Sequence, residues 1–139
     1  MNQTAILWPM VAHALLIFIV YTVLAVRRRG AIRTGGAKIQ QFKGRMQEPE
    51  GSFTAANNLM NQFELPVLFH VVCLALFVPA GSSYVTVTLA WLFIVSRYAH
   101  AYVHLTTNKL KHRNQLFRSG VLILFVLWVC FALHLAGAI

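Results

Sequence analysis

The sequence predicts an all-α integral membrane protein, a single bundle of four transmembrane helices, and three observations carry that expectation. Hydrophobic residues make up 58% of the 139-residue chain and charged residues only 11%, and mean hydropathy is +0.65. A soluble domain of this length could not hide so much apolar surface in one small core. The apolar residues fall in four runs, and all the Lys and Arg residues except Arg97 lie in two short segments between them.

The runs are Ala5 to Val26, Phe63 to Ala80, Tyr84 to Leu105 and Val121 to Ala136. Crossing the hydrocarbon takes about 20 apolar residues in a helix. The first and third runs reach that length directly. The second and fourth need their polar N-terminal shoulders, residues 55–62 and 114–120, so the spans are expected at about 5–26, 54–80, 84–107 and 114–136 of one domain covering 1–139. Neither shoulder holds a residue expected to stop a helix. Pro66 is expected to kink the second helix, which a membrane bundle tolerates when neighbours bond the freed carbonyl. Ser52 or Thr54 is the expected cap of that helix.

The loops set the orientation. Arg27, Arg28, Arg29, Arg33, Lys38, Lys43 and Arg45 lie between runs one and two, and Lys109, Lys111 and Arg113 between three and four. The N-terminal tail and the turn at 79–83 carry no Lys or Arg. Under the positive-inside bias both basic loops face the cytoplasm and both termini the periplasm or exterior, as in a multi-pass protein of the bacterial inner membrane. The first loop is rich in glycine, which argues against a long regular helix there, and its bases suit contact with anionic headgroups. The N-terminus lacks a basic n-region and a small-residue cleavage site, so the first run is expected to remain in the mature protein.

The formal net charge of +9 raises the question of nucleic acid, but no recognition motif accompanies the charge and its distribution is that of membrane loops. Cys73 and Cys130 lie inside apolar runs and form neither a disulfide framework nor a metal spacing. They read as small buried apolar residues.

Ionisable residues inside membrane helices are costly, so each is a candidate functional residue. Asn57, Asn61 and Glu64 follow an i, i+4, i+7 pattern, and Arg97, His100, His104 and Asn108 an i, i+3, i+7, i+11 pattern, so each set is expected on one helical stripe. Counting ~1.5 Å per residue from the external turn puts Glu64 roughly 24 Å deep and Arg97 roughly 20 Å, and counting from Ala136 puts Arg118 roughly 27 Å deep. Glu64 and Arg97 could therefore pair, either to fix packing or to serve a site. The surplus of cations over the one acid makes a positive mouth that attracts an anionic ligand from the cytoplasm. His13, His70 and His134 sit singly on apolar helices and read as packing residues. Two alternatives are His13 with His70 as haem ligands, and His100 with His104 as an i, i+4 metal pair lacking a third ligand. No metal site is expected.

These residues resemble the MAPEG family (membrane-associated proteins in eicosanoid and glutathione metabolism), in particular its short bacterial members. The resemblance runs the full length. It rests on Asn61-Gln62-Phe63-Glu64-Leu65-Pro66, on Arg97-Tyr98-Ala99-His100, and on Arg113 followed by Phe117 and Gly120. It implies a homotrimer of four-helix protomers that binds glutathione as co-substrate between neighbours near the cytoplasmic side. Asn61, Glu64, Arg97, His100 and His104 would hold the tripeptide, and Arg113 would be catalytic, stabilising the thiolate. A cation does this by lowering a thiol pKa that otherwise lies near 8.5, and arginine does it without itself titrating. Many glutathione-handling members carry tyrosine where this chain has His104; a neutral histidine could donate the hydrogen bond instead. The implied activity is a transferase or peroxidase acting on lipophilic electrophiles or lipid hydroperoxides dissolved in the membrane lipid. Because the family includes non-enzymatic members, the alternative is a lipid-binding or scaffold protein.

Overall fold

A computed structural model describes residues 2–43 and 48–138. Gly44 and Arg45 of the first basic loop lie outside that range. The described chain is all-α: α1 (Trp8–Arg33), α2 (Glu50–Asn61), α3 (Leu65–Phe77), α4 (Tyr84–Leu105) and α5 (Leu110–Leu135), with short 3-10 turns at Gln3–Leu7 and Ile39–Lys43. Since α2 and α3 follow one another along one path, the bundle has four rods.

Each boundary has a local cause. Pro9 sits in the first turn of α1, where its missing N–H costs nothing. The helix then runs through the arginine cluster and Gly30 to Arg33, well past the apolar run, and turns at Gly35, whose φ is +74°. No side chain caps α2: Pro49 holds the N-cap position, and the Ser52 hydroxyl instead donates to Glu48 Oε1 at 2.6 Å. The expected cap at Ser52 or Thr54 is thus corrected. Ser83 and Thr86 form a reciprocal capping box that starts α4.

The second rod is broken rather than kinked. Helix α2 ends at Asn61 and α3 begins at Leu65. Pro66 cannot donate to the carbonyl four residues back, and its ring crowds that carbonyl, so helical continuity fails across residues 62–64. The shoulder did contain a stop, placed by a proline beyond its end.

The core lies toward the end of the bundle near the 78–83 turn. Ile6, Phe69, Val72, Cys73, Leu76, Ala90, Phe93, Ile94, Leu124 and Leu127 form one buried cluster, in which Phe69 and Phe93 stack with ring centroids 4.6 Å apart. Gly120 lets α5 approach α4 closely, since a Cβ there would lie 3.0 Å from Ser96 Oγ. Gln3 ties the N-terminal turn to Ser82, accepting the Ser82 N–H at 2.9 Å. Cys73 and Cys130 are both free thiols. Outside the core, Trp8, Phe18, Leu122 and Phe125 are exposed, an outward apolar surface suited to lipid.

Among the described residues, three helical stretches are long and apolar enough to cross a membrane: Gln3–Arg33, Glu50–Phe77 and Leu110–Leu135. Helix α4 is not among them. It carries Ser96, Arg97, His100 and His104, all buried, and packs against α1, α2 and α5. The rod that carries these buried polar side chains is the one its neighbours surround, which is how a membrane protein accommodates them.

Candidate functional site

Helix α4 positions the central side chains. Arg97, His100 and His104 recur at i, i+3 and i+7, so they share one stripe, and each is at most 3% exposed. Asn108 does not continue that stripe: α4 ends at Leu105, and Asn108 sits in the following turn with φ +46°.

The expected Glu64–Arg97 ion pair is not formed. Among the described residues the one salt bridge joins Arg28 to Glu48, at 2.5 Å. Arg97 Nη2 instead donates to the backbone carbonyl of Asn61 at 3.1 Å, across from the end of α2. Glu64 acts on Arg97 only through space. The carbonyl is available because the helix breaks there and leaves its last acceptors without intrahelical partners.

Arg97, His100 and His104 hold hydrogen-bonding capacity that no described residue consumes. Among the described residues, Arg97 Nε, Arg97 Nη1, His100 Nδ1 and His104 Nδ1 are buried without a hydrogen-bond partner. For His104 the chemistry assigns the tautomer. Arg113 Nη1 lies 3.2 Å from His104 Nε2, and a guanidinium can only donate. Nε2 therefore accepts, the proton resides on Nδ1, and that N–H has no acceptor. Arg113 also donates to Asn108 Oδ1 at 3.0 Å, so the end of α4 and the turn after it both hold it. The rings of His100 and His104 meet edge-on with centroids 5.7 Å apart, and Phe117 flanks His100 at 6.1 Å.

On the other side of the break a cleft of about 640 Å³ opens between α1 and α2. Its walls mix apolar groups (Tyr21, Leu24, Phe53, Met60, Phe63) with Arg28, Glu48, Asn57 and Glu64. Asn57 and Glu64 thus share a lining, as their spacing predicts. Asn61 does not join them, and the inward face of α2 is instead Ser52, Ala55 and Asn58. The structure brings Asn61, Arg97, His100, His104 and Arg113 into one connected group and puts Glu64 at the cleft. It does not bring Arg113 to the cleft. Arg118, placed at the same depth by residue counting, is exposed on α5 and takes no part in this group.

Sequence reasoning missed Arg28. It lines the cleft, binds Glu48 through Nε at 2.9 Å and lies over the Phe42 ring at 5.2 Å. Tyr21, Leu24, Ala25 and Arg28 share one helical face, a pattern that its two arginine neighbours obscured. Glu48 lies before α2, and the Arg28 guanidinium holds its carboxyl below the usual range, helped by the Ser52 hydroxyl and opposed by partial burial. Arg27 serves architecture, donating to Thr54 Oγ1 at 2.7 Å and to the Leu105 carbonyl at the end of α4.

His13 and His70 are not single packing residues. His13 Nδ1 lies 3.0 Å from His70 Nε2, and His13 Nε2 lies 3.2 Å from Gln62 Oε1. Two nitrogens bonded to each other at that distance leave no room for an iron between them, so the haem alternative is excluded in this arrangement. His134 packs where Gly81 leaves space: a Cβ on Gly81 would lie 2.7 Å from its ring. Among the described residues no group of three or more His, Cys, Asp or Glu side chains could hold a metal ion.

Compared with known proteins, residues 6–133 match the family model described as the MAPEG family. No curated protein matches the chain, and no solved structure does.

Proposed function

We propose, from the premise that this chain belongs to the MAPEG family, that it is a glutathione-dependent transferase or peroxidase acting on lipophilic electrophiles or lipid hydroperoxides. It is an integral membrane protein with multi-pass helices. The bacterial inner membrane, the cytoplasmic placement of both basic loops and the homotrimer are part of the proposal, supported by the charge asymmetry and the family.

One observation carries the reading. A buried guanidinium with two unspent nitrogens, beside two histidines each with an unspent ring nitrogen, is an arrangement that costs stability unless an acceptor engages it. An anionic ligand supplies acceptors, and glutathione carries two carboxylates, an ammonium and a thiol. Glu64 and Arg28 in the cleft suit the peptide's ammonium and a carboxylate respectively. Arg97, His100 and the Asn61 segment supply the positive wall behind them. Arg113 stabilises the thiolate, and the His104 Nδ1–H donates the hydrogen bond that other members take from a tyrosine hydroxyl. Because Arg113 is turned away from the cleft of its own protomer, the complete site requires a neighbour, in keeping with the trimer. The thiolate sulfur then forms a bond to an electrophilic carbon as the leaving group departs. With a hydroperoxide, two glutathiones give the disulfide while the substrate leaves as alcohol and water.

Calorimetry on purified protein tests the proposal. Wild type should bind glutathione, and Arg113→Ala should keep most of that affinity while losing roughly 10²-fold in turnover, the scale of a lost transition-state charge partner. Absence of binding in wild type, with turnover indifferent to Arg113→Ala, would remove it. A non-catalytic lipid-binding role is the second reading, favoured by the engagement of Arg113 with His104 and Asn108. It predicts co-purified anionic phospholipid that glutathione fails to displace.

A further inference from the structure

Four elements of the bundle are joined by one directional chain of hydrogen bonds that ends beside the proposed anion site without belonging to it. Its direction follows from two backbone carbonyls, which can only accept. Asn58 Nδ2 donates to the Ala101 carbonyl of α4 at 3.1 Å, which turns Asn58 Oδ1 toward Gln62. Gln62 Nε2 donates to that Oδ1 at 2.9 Å and also reaches the Asn58 carbonyl at 3.3 Å. Gln62 Oε1 therefore faces His13 on α1, so His13 Nε2 carries the proton and donates. With that proton placed, neutral His13 has only Nδ1 as acceptor, and His70 Nε2 on α3 must be the donor to it. Every amide orientation and both histidine tautomers follow from this one sequence of donors.

The chain passes through the break between α2 and α3. Gln62 is the first residue beyond α2 and is 1% exposed, whereas its successors Phe63 and Glu64 face outward. A broken segment in an apolar bundle has no helical ladder to hold it, so its geometry depends on side-chain anchors. Two functional groups hang on this segment from opposite sides. The Asn61 carbonyl binds Arg97, and Glu64 lines the cleft. The segment is therefore a wall shared by the buried cations and the open cleft, and Gln62 fastens it to α1 and α2 at once.

We propose that Gln62, oriented by His13, His70 and Asn58, is a positioning residue that sets where the Asn61 carbonyl and the Glu64 carboxylate stand, and so sets the affinity for glutathione. This rests on the glutathione reading above. Gln62 touches no ligand, and it acts through the backbone on either side of it. Partners that hold a binding group in place without touching the ligand are known chiefly from metal sites, where their loss weakens binding about 10–100-fold.

Two measurements on the full chain in lipid nanodiscs test this together. Gln62→Met keeps the length of the side chain and removes its bonds. By calorimetry it should weaken glutathione binding roughly tenfold, at the low end of that range. In an Arg97→Lys background the same substitution should cost clearly less than about tenfold, because the part of its effect that runs through the Asn61–Arg97 contact is non-additive with the loss of the guanidinium and only the part that runs through Glu64 remains. A purely structural role would give the same loss in both backgrounds, and that result overturns the proposal. Hydrogen exchange needs no ligand: Gln62→Met should speed exchange at the Gln62, Phe63 and Val67 amides, which bond to Leu59, Met60 and Glu64 carbonyls, and leave α5 unchanged. Unaltered exchange at those amides also overturns it. Wild type that binds no glutathione removes the glutathione reading instead, while accelerated exchange would still show Gln62 to anchor the break.

Discussion

Two pairs of histidines on apolar helices, His13 with His70 and His100 with His104, differ in what their ring nitrogens have to bond. In the first pair the rings bond to each other and to Gln62, and the chain continues to a backbone carbonyl. In the second, Nδ1 of each ring is buried without a partner, next to an arginine in the same condition. Three of the four rings, His13, His100 and His104, are nearly inaccessible, and His70 is half-buried. Composition and exposure therefore do not separate the two regions. Bonding capacity does: a polar group whose bonds are complete inside the protein is architecture, and one whose bonds are incomplete marks the place for something else.

That contrast can be broken most forcefully at Arg97. Arg97→Met should weaken glutathione binding by roughly two to three orders of magnitude, within the ~2–5 kcal/mol that truncating one member of a buried charged contact costs. The same substitution should leave the melting temperature unchanged or raise it, because it removes a buried charge whose donors are not all engaged. A large loss of stability with unaltered binding would make Arg97 an architectural residue and erase the difference between the two regions.

The complementary test is His13→Leu. Loss of its donor leaves Gln62 Oε1 and the His70 N–H unpaired in the bundle, so stability should fall by ~1–3 kcal/mol. Glutathione affinity should fall by less than in Gln62→Met, because Gln62 keeps its bonds to Asn58. Denaturation in detergent read beside calorimetry checks both directions.

A smaller effect sharpens the comparison at the surface. The folded pKa of Glu48 lies below its ordinary value of 4.5. The stabilisation it confers is thus fully present above that pH and is lost as pH falls through the folded value. Glu48→Gln should lower the melting temperature at neutral pH, and the difference from wild type should shrink as pH falls below 4.5 and vanish once Glu48 is protonated in the folded protein. Solvent screens the pair, as Arg28 is 39% exposed, so the shift should be smaller than that of His13→Leu. A difference that grows in acid would show that the bridge does not act this way.

How much of this was legible in the sequence follows from which interactions are local. The i, i+3, i+7 run of Arg97, His100 and His104 needed only helical periodicity, and the structure buries all three together. The second stripe failed in part, because periodicity shows which residues share a face and not which face turns inward. Asn57 and Glu64 line the cleft, while the neighbouring Asn58 and Gln62 took the buried positions. The broken rod was half visible: Pro66 announced a disturbance, but whether it bends or interrupts a helix depends on what neighbours offer the freed groups. Residue counting also put Arg118 level with the site, since depth along an axis says nothing about the direction around it.

By itself the sequence determined that this chain is all-helical, multi-pass in membrane and a member of its family, because apolar run length, charge placement and short helical motifs are properties of neighbouring residues. Only the tertiary structure decided that Arg97 reaches a carbonyl rather than Glu64, that His13 and His70 are one bonded pair, and that Arg28 lines the cleft. Each of those choices is a competition between partners dozens of residues apart, settled by which rods pack side by side and how far each is turned about its axis.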